Sequence, residues 1–158
     1  MPDVFSFTCC DIKATERLAE AVSLVARRGD VFALFGTLGV GKSVFARAFI
    51  QNLTNASEVP SPTFTLVQTY EAPDFDIYHF DLYRLKSAEE IWELNMEEAL
   101  FGAVTLIEWP EKMESYLPKD IFKIFISTNN NGTRLFKIET SSDEKASRIK
   151  KIHLPSEG

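Results

Sequence analysis

Gly36-Thr37-Leu38-Gly39-Val40-Gly41-Lys42-Ser43 decides the fold. The stretch fits G-x-x-x-x-G-K-[ST], a loop whose backbone N–H groups cradle phosphates. Glycine lets such a backbone turn with positive φ and come close to an anion. At this spacing Lys42 carries a mobile positive charge to the β- and γ-phosphates, and Ser43 offers a hydroxyl to Mg²⁺. Both flanks agree. Asp30-Val-Phe-Ala-Leu-Phe35 is a short apolar run that predicts a buried parallel strand. Beyond the loop, Val44, Phe45, Ala48 and Phe49 recur at helical spacing up to Leu53, so a helix N-terminus would face the phosphates.

Working outward toward the N-terminus, Val4–Cys9 alternates as a strand. Thr15 is placed to cap a helix running to Arg28, with Leu18, Ala21, Val22 and Val25 as its buried stripe and Gly29 as its end. On the other side, Val59-Pro60-Ser61-Pro62-Thr63 is stiffened by two prolines that exclude helix. Such a loop either sets up a strand or holds Thr63 toward a γ-phosphate. Phe64–Tyr70 and Ile77–Tyr83 alternate around the turn at Ala72-Pro73-Asp74, which predicts a hairpin. In its second strand Ile77, His79, Asp81 and Tyr83 share one face, and Tyr78, Phe80 and Leu82 the other. Burying Asp81 among apolar neighbours without a partner would be costly; a metal ion or a lysine would satisfy it. His79 reads as a packed or edge residue.

Ser87-Ala-Glu-Glu90 forms a capping box that predicts a helix to about Leu100, ended by Gly102, with its glutamates on a solvated face. Ala103–Ile107 is a further apolar strand and delivers Glu108 at its carboxyl end, where open α/β sheets bind ligands. A carboxylate there can hold a metal's water shell or orient an attacking water. Trp109 reads as a core plug before a stacking surface. Ile121–Ser127 and Arg134–Glu139, joined through Asn129-Asn-Asn-Gly132, predict a second hairpin.

The 158 residues are read as a single domain over 1–141 with a tail over 142–158, either a short basic helix or disordered. Apolar content of 45% and charged content of 25% fit a globular protein. No apolar run approaches a membrane span and no secretory signal is expected. Cys9 and Cys10 are adjacent, which argues against a structural disulfide or metal site and fits a reducing cytoplasm. A net charge of −6 argues against unaided grip on a nucleic-acid backbone.

Four stretches, Gly36–Ser43, Ser61-Pro-Thr-Phe64, His79-Phe-Asp-Leu-Tyr-Arg84 and Ile107-Glu-Trp-Pro110, in this order and spacing, resemble the TsaE (YjeE) family. The likeness covers nearly the whole chain, and its last two stretches are far more specific than the phosphate loop. It implies a P-loop NTPase-like three-layer α/β fold, with a mixed sheet parallel at its centre and antiparallel at its flanks. It also implies a cytoplasmic Mg²⁺-dependent ATPase, slow alone, required for threonylcarbamoyladenosine at position 37 of tRNAs reading A-starting codons. Its partners would be TsaD and TsaB, with tRNA met only through that complex.

By the same resemblance Gly36, Leu38, Gly39, Val40, Gly41, Lys42, Ser43 and Val44 hold ATP, with Trp109 beside the nucleotide or the partner surface. Ser43, Asp81 and Glu108 serve the metal. Glu108, Thr63 and Lys42 carry catalysis, Thr63 from a switch-like loop. Two departures stand out: members commonly have Thr where Ser43 stands, and many carry an acid at Thr37.

The main alternative is a P-loop small-molecule kinase. A kinase wants an arginine-bearing lid, yet between Phe64 and Pro110 the basic residues are Arg84 and Lys86. A GTP switch lacks its Asn-Lys-x-Asp stretch. A nucleotide-sensing scaffold, with no turnover that matters, would keep tRNA modification intact in Glu108→Gln.

Overall fold

Val31–Phe35 (β2) lies in the middle of the sheet because its residues are apolar and are covered on both faces. The computed structural model describes residues 2–37 and 39–152, so Leu38, expected at the nucleotide, lies outside the described residues. The other strands are β1 (Asp3–Cys9), β3 (Val67–Glu71), β4 (Asp76–Asp81), β5 (Val104–Glu108), β6 (Phe122–Thr128) and β7 (Arg134–Thr140). They form one seven-stranded mixed sheet in the order β1-β7-β6-β2-β5-β4-β3. β6, β2, β5 and β4 run parallel to their neighbours at the centre. The flanks, β1–β7–β6 and β3–β4, are antiparallel, as the two predicted hairpins require.

Helices cover both faces. On one lie α1 (Ile12–Leu24), α2 (Lys42–Leu53) and α4 (Asp143–Lys150), over a core in which Phe32 stacks on Phe122 at 4.6 Å and meets Phe49 edge-on. On the other lie the 3-10 segments Ala88–Leu94 and Pro110–Tyr116 and the short α3 (Met96–Gly102), packed over Phe80, Leu82 and Ile107. β4 ends at Asp81, short of the expected Tyr83, but the alternation holds as far as Leu82: Ile77 belongs to the first core, Tyr78, Phe80 and Leu82 to the second. Among the described residues no helix is long and apolar enough to cross a membrane.

Four local expectations are corrected. Asp11, not Thr15, caps α1 by accepting from the Ala14 N–H. That helix ends at Leu24, and Gly29 (φ 91°) instead forms the turn before β2. The strand expected from Phe64 starts at Val67, because the Leu66 N–H closes a turn onto the Pro62 carbonyl and leaves Phe64 82% exposed. The capping box at Ser87 is present, but its helix breaks at Asn95, whose left-handed backbone (φ 63°) separates a 3-10 turn from α3. Within the stretch expected as a tail over 142–158, Asp143–Lys150 form a helix, and residues 153–158 lie outside the described residues. α4 puts Ala146, Arg148 and Ile149 into the buried interior.

Candidate functional site

The strand-loop-helix unit brings its parts together at the carboxyl edge of the central strands. β2 ends at Phe35, the glycine loop follows, and α2 begins at Lys42. Gly36 is dictated by space: a Cβ there would lie 2.6 Å from Val40 Cγ1 and 3.0 Å from the Ile126 carbonyl oxygen. Gly41 is dictated by conformation, since it caps α2 at φ 113°. It makes no side-chain cap bond, so the first-turn N–H groups of α2 keep their capacity for an anion. Arg134 of β7 braces the loop from behind, its Nε donating to the Val40 carbonyl at 2.9 Å.

Lys42 is 5% exposed. Its Nζ donates to the Gly36 carbonyl at 2.8 Å and sits 3.6 Å from the centroid of the Trp109 ring. Burial lowers its pKa from the ordinary lysine value, opposed by the charges of Glu108, Glu111 and Asp81. Trp109 reaches this place by a left-handed backbone (φ 59°) directly after β5, a conformation that costs a non-glycine residue about 1 kcal/mol. Its ring also meets Tyr83 at 5.0 Å. The core plug expected at Trp109 is therefore also the cover over the loop lysine.

Asp81 and Glu108 end adjacent parallel strands as direct register partners. Both are buried, at 5% and 3% exposure. Asp81 Oδ2 accepts from Thr63 Oγ1 at 3.0 Å, and Oδ1 accepts from the Tyr83 N–H at 3.1 Å. Thr63 Oγ1 is also 2.7 Å from Ser61 Oγ, so the proline-stiffened loop is tied to the sheet through Asp81. Glu108 Oε1 accepts from Ser43 Oγ at 3.2 Å, and Oε2 lies 2.7 Å from His79 Nε2. Two buried carboxylates so close need compensation, and Lys42 together with hydrogen bonds from Thr63, Ser43 and His79 supplies it.

Ser43, Thr63, Asp81, Glu108, Lys42 and Trp109 line a single cavity of about 240 Å³. They come from four separate stretches of sequence, the loop, Thr63, Asp81 and Glu108-Trp109, and the fold brings them together. Among the described residues no group of three His, Cys, Asp or Glu side chains forms a metal cage. One hydroxyl and two carboxylates are a sparse, all-oxygen donor set. That set suits Mg²⁺, which keeps water ligands and shares substrate phosphates.

A second cavity of about 310 Å³ flanks the same loop and shares Gly39, Gly41 and Val44 with the first. It is lined on its far side by Cys9, Asp11, Ile12, Thr15 and Arg134. Sequence reasoning missed this wall, because β1, the start of α1 and β7 meet there only through the sheet order. His79 was missed as a partner of Glu108 for a related reason: an isolated histidine in an alternating strand carries no sign of a carboxylate 29 residues further on.

The family model described as "Threonylcarbamoyl adenosine biosynthesis protein TsaE" matches residues 9–136. A protein of Rickettsia bellii (strain RML369-C) is 43% identical over 125 residues, 78% of this chain and 87% of that protein. One of Bacillus subtilis (strain 168) is 34% identical over 121 residues, 76% of this chain and 75% of that protein. Both are named tRNA threonylcarbamoyladenosine biosynthesis protein TsaE. The crystal structure of YdiB from Bacillus subtilis superposes with a TM-score of 0.79 at 23% identity, covering 96% of this chain and 95% of that one, and so shares the fold.

Proposed function

The chain belongs to the TsaE family of threonylcarbamoyl adenosine biosynthesis proteins, and from that premise we propose that it is a Mg²⁺-dependent ATPase serving threonylcarbamoyladenosine formation on tRNA. The observation that carries the reading is the bond between Ser43, at the start of α2, and Glu108, at the end of β5. The bond puts side by side, at the mouth of the glycine loop, a hydroxyl that would bind the metal and a carboxylate that would orient water.

In this reading the triphosphate lies over the N-terminus of α2, and the nucleoside extends into the cavity beside Asp11 and Arg134. Lys42 exchanges the Gly36 carbonyl for phosphate oxygen. Ser43 and Asp81, with Glu108, would hold Mg²⁺, which when bound neutralises charge on the β- and γ-phosphates. Glu108 orients water for in-line attack on the γ-phosphate, and Thr63 fixes the loop that closes over it. Trp109 excludes bulk water on the lysine side. Among the described residues no arginine lines the cavity, so slow turnover by the chain alone is the expectation. The partners are TsaD and TsaB, in the cytoplasm, with tRNA reached through them.

The test is ATP hydrolysis with and without TsaD–TsaB, for the wild-type chain and for Glu108→Ala. The expected result is slow hydrolysis alone, stimulation by the pair, and loss in the variant with nucleotide still bound. Phosphate transfer to a small-molecule acceptor in place of water would overturn it in favour of a kinase.

A further inference from the structure

Glu108 is gripped at both oxygens, and the two grips differ. Ser43 Oγ donates to Oε1 at 3.2 Å from the half-buried start of α2. His79 approaches Oε2 at 2.7 Å from within the sheet, where its side chain is 2% exposed and that of Glu108 3%. His79 sits on β4 opposite Leu106 of the neighbouring β5, so two paired strands fix the distance between imidazole and carboxylate. The other ring nitrogen, Nδ1, is buried and has no hydrogen-bond partner among the described residues.

These facts determine the direction of the bond. A carboxylate only accepts, so Nε2 carries the proton. A proton on Nδ1 would be a buried donor without an acceptor, which costs far more than a bare lone pair in the same place. His79 is thus a one-sided donor whose whole hydrogen-bonding capacity is spent on Glu108. Ser43 belongs to the metal-holding set, so its bond to Oε1 is the one that nucleotide binding replaces. The bond from His79 is the one that stays.

We propose that His79 is a positioning residue for hydrolysis: its Nε2–H pins Oε2 of Glu108 inside the sheet, so that Oε1 alone faces the phosphate cavity. The proposal rests on the reading of Glu108 as the water-orienting group. Without the pin, a glutamate with three side-chain torsions distributes its carboxylate over several orientations, and the population aimed at the water falls. Partners that orient a catalytic or ligating group in this way are typically worth roughly ten- to a hundredfold.

Two measurements decide it. ATP hydrolysis is compared for wild type, His79→Phe and His79→Gln, each with and without Glu108→Ala. His79→Phe is expected to lower kcat roughly tenfold or more with KM nearly unchanged. His79→Gln, whose amide N–H₂ can reach the same oxygen, is expected to recover most of that loss. In the Glu108→Ala background His79→Phe should add nothing. The second measurement is the ¹⁵N–¹H spectrum of the imidazole without nucleotide. The chain has two histidines, so His153→Gln isolates His79. The expected pattern is a protonated Nε2 and a bare Nδ1, with the Nε2 proton shifting in Glu108→Ala.

An unchanged kcat in His79→Phe, a further loss on top of Glu108→Ala, or a proton on Nδ1 would each overturn the proposal. The spectrum needs no change at His79, so it stands as a test even where His79→Phe does not fold. A wild-type chain that hydrolyses no ATP would instead bring down the function reading, a result distinct from active wild type with an indifferent His79→Phe.

Discussion

The ammonium of Lys42 is held against the face of Trp109, 3.6 Å from the ring centroid. Among the described residues its carbonyl partner is Gly36 of its own loop. Three donors on an ammonium and a single acceptor leave it ready to exchange that carbonyl for phosphate oxygen. Burial disfavours its charged form and lowers its pKa. As pH rises, Lys42 therefore loses its proton earlier than a solvated lysine. The affinity for a non-hydrolysable ATP analogue should fall at alkaline pH with a midpoint below about 10.4, the ordinary lysine value. Affinity that stays flat up to that pH would contradict the contact. The same burial means that the folded chain binds this proton less well than the unfolded one. Its contribution to stability therefore rises with pH between the lowered and the ordinary value.

Thr63 ties the proline-stiffened loop to a buried acid. Its hydroxyl bonds Asp81 at 3.0 Å and lies 2.7 Å from the Ser61 hydroxyl. Thr63→Val keeps the shape and removes both bonds. A hydrogen bond to a charged group is worth about 1.5–3 kcal/mol, so hydrolysis should fall roughly tenfold or more. Amide exchange in residues 61–66 should quicken without a change in the sheet. Exchange that quickens throughout β4 would show that the valine had disturbed the strand, not the loop.

Gly36 offers a sharper steric test. Its missing Cβ faces a backbone oxygen of β6 at 3.0 Å, which has no rotamer by which to move away. Gly36→Ala should displace the loop and weaken nucleotide binding at least tenfold, about 1.4 kcal/mol. Gly39→Ala meets no atom within 4 Å and is opposed only by its backbone angle of φ 79°. It should cost less binding than Gly36→Ala, and the reverse order in calorimetric titration would contradict the packing.

The parts legible in the sequence are those written in local pattern. The apolar run into a glycine loop, the alternation from Ile77 to Leu82 and the placement of Glu108 at a strand end needed only period and spacing, and each stands in the structure. Asp81 is expected inside a strand running to Tyr83, and the structure makes it that strand's last residue. What was not legible depends on contacts between distant stretches. The capping box at Ser87 promises an α-helix, but packing of Ile91 and Met96 against the same core bends the chain at Asn95. Phe64 fits a strand by type, yet the Leu66–Pro62 bond turns it out to solvent. His79 and Glu108 meet only because β4 and β5, far apart in the chain, pair in parallel.

The stretch beyond residue 141 tests whether the phosphate loop is supported from the opposite end of its strand. Arg148 of α4 donates to both carboxylate oxygens of Asp30, at 2.6 and 3.1 Å, and to the Val25 carbonyl at 2.7 Å. Asp30 stands directly before β2 and is nearly buried, as is Arg148. Removing one partner leaves a buried charge, which costs about 3–5 kcal/mol. Arg148→Ala should lower unfolding free energy by about that much in urea. Replacing both partners, as in Asp30→Asn with Arg148→Met, should cost less than Arg148→Ala alone, because no uncompensated charge remains. A chain ending at residue 141 should behave like the single variant, exposing Asp30 and the floor of β2 together. If that shorter chain unfolds at the wild-type urea midpoint, α4 contributes nothing to the strand that carries the loop, and the buried pair is an incidental contact.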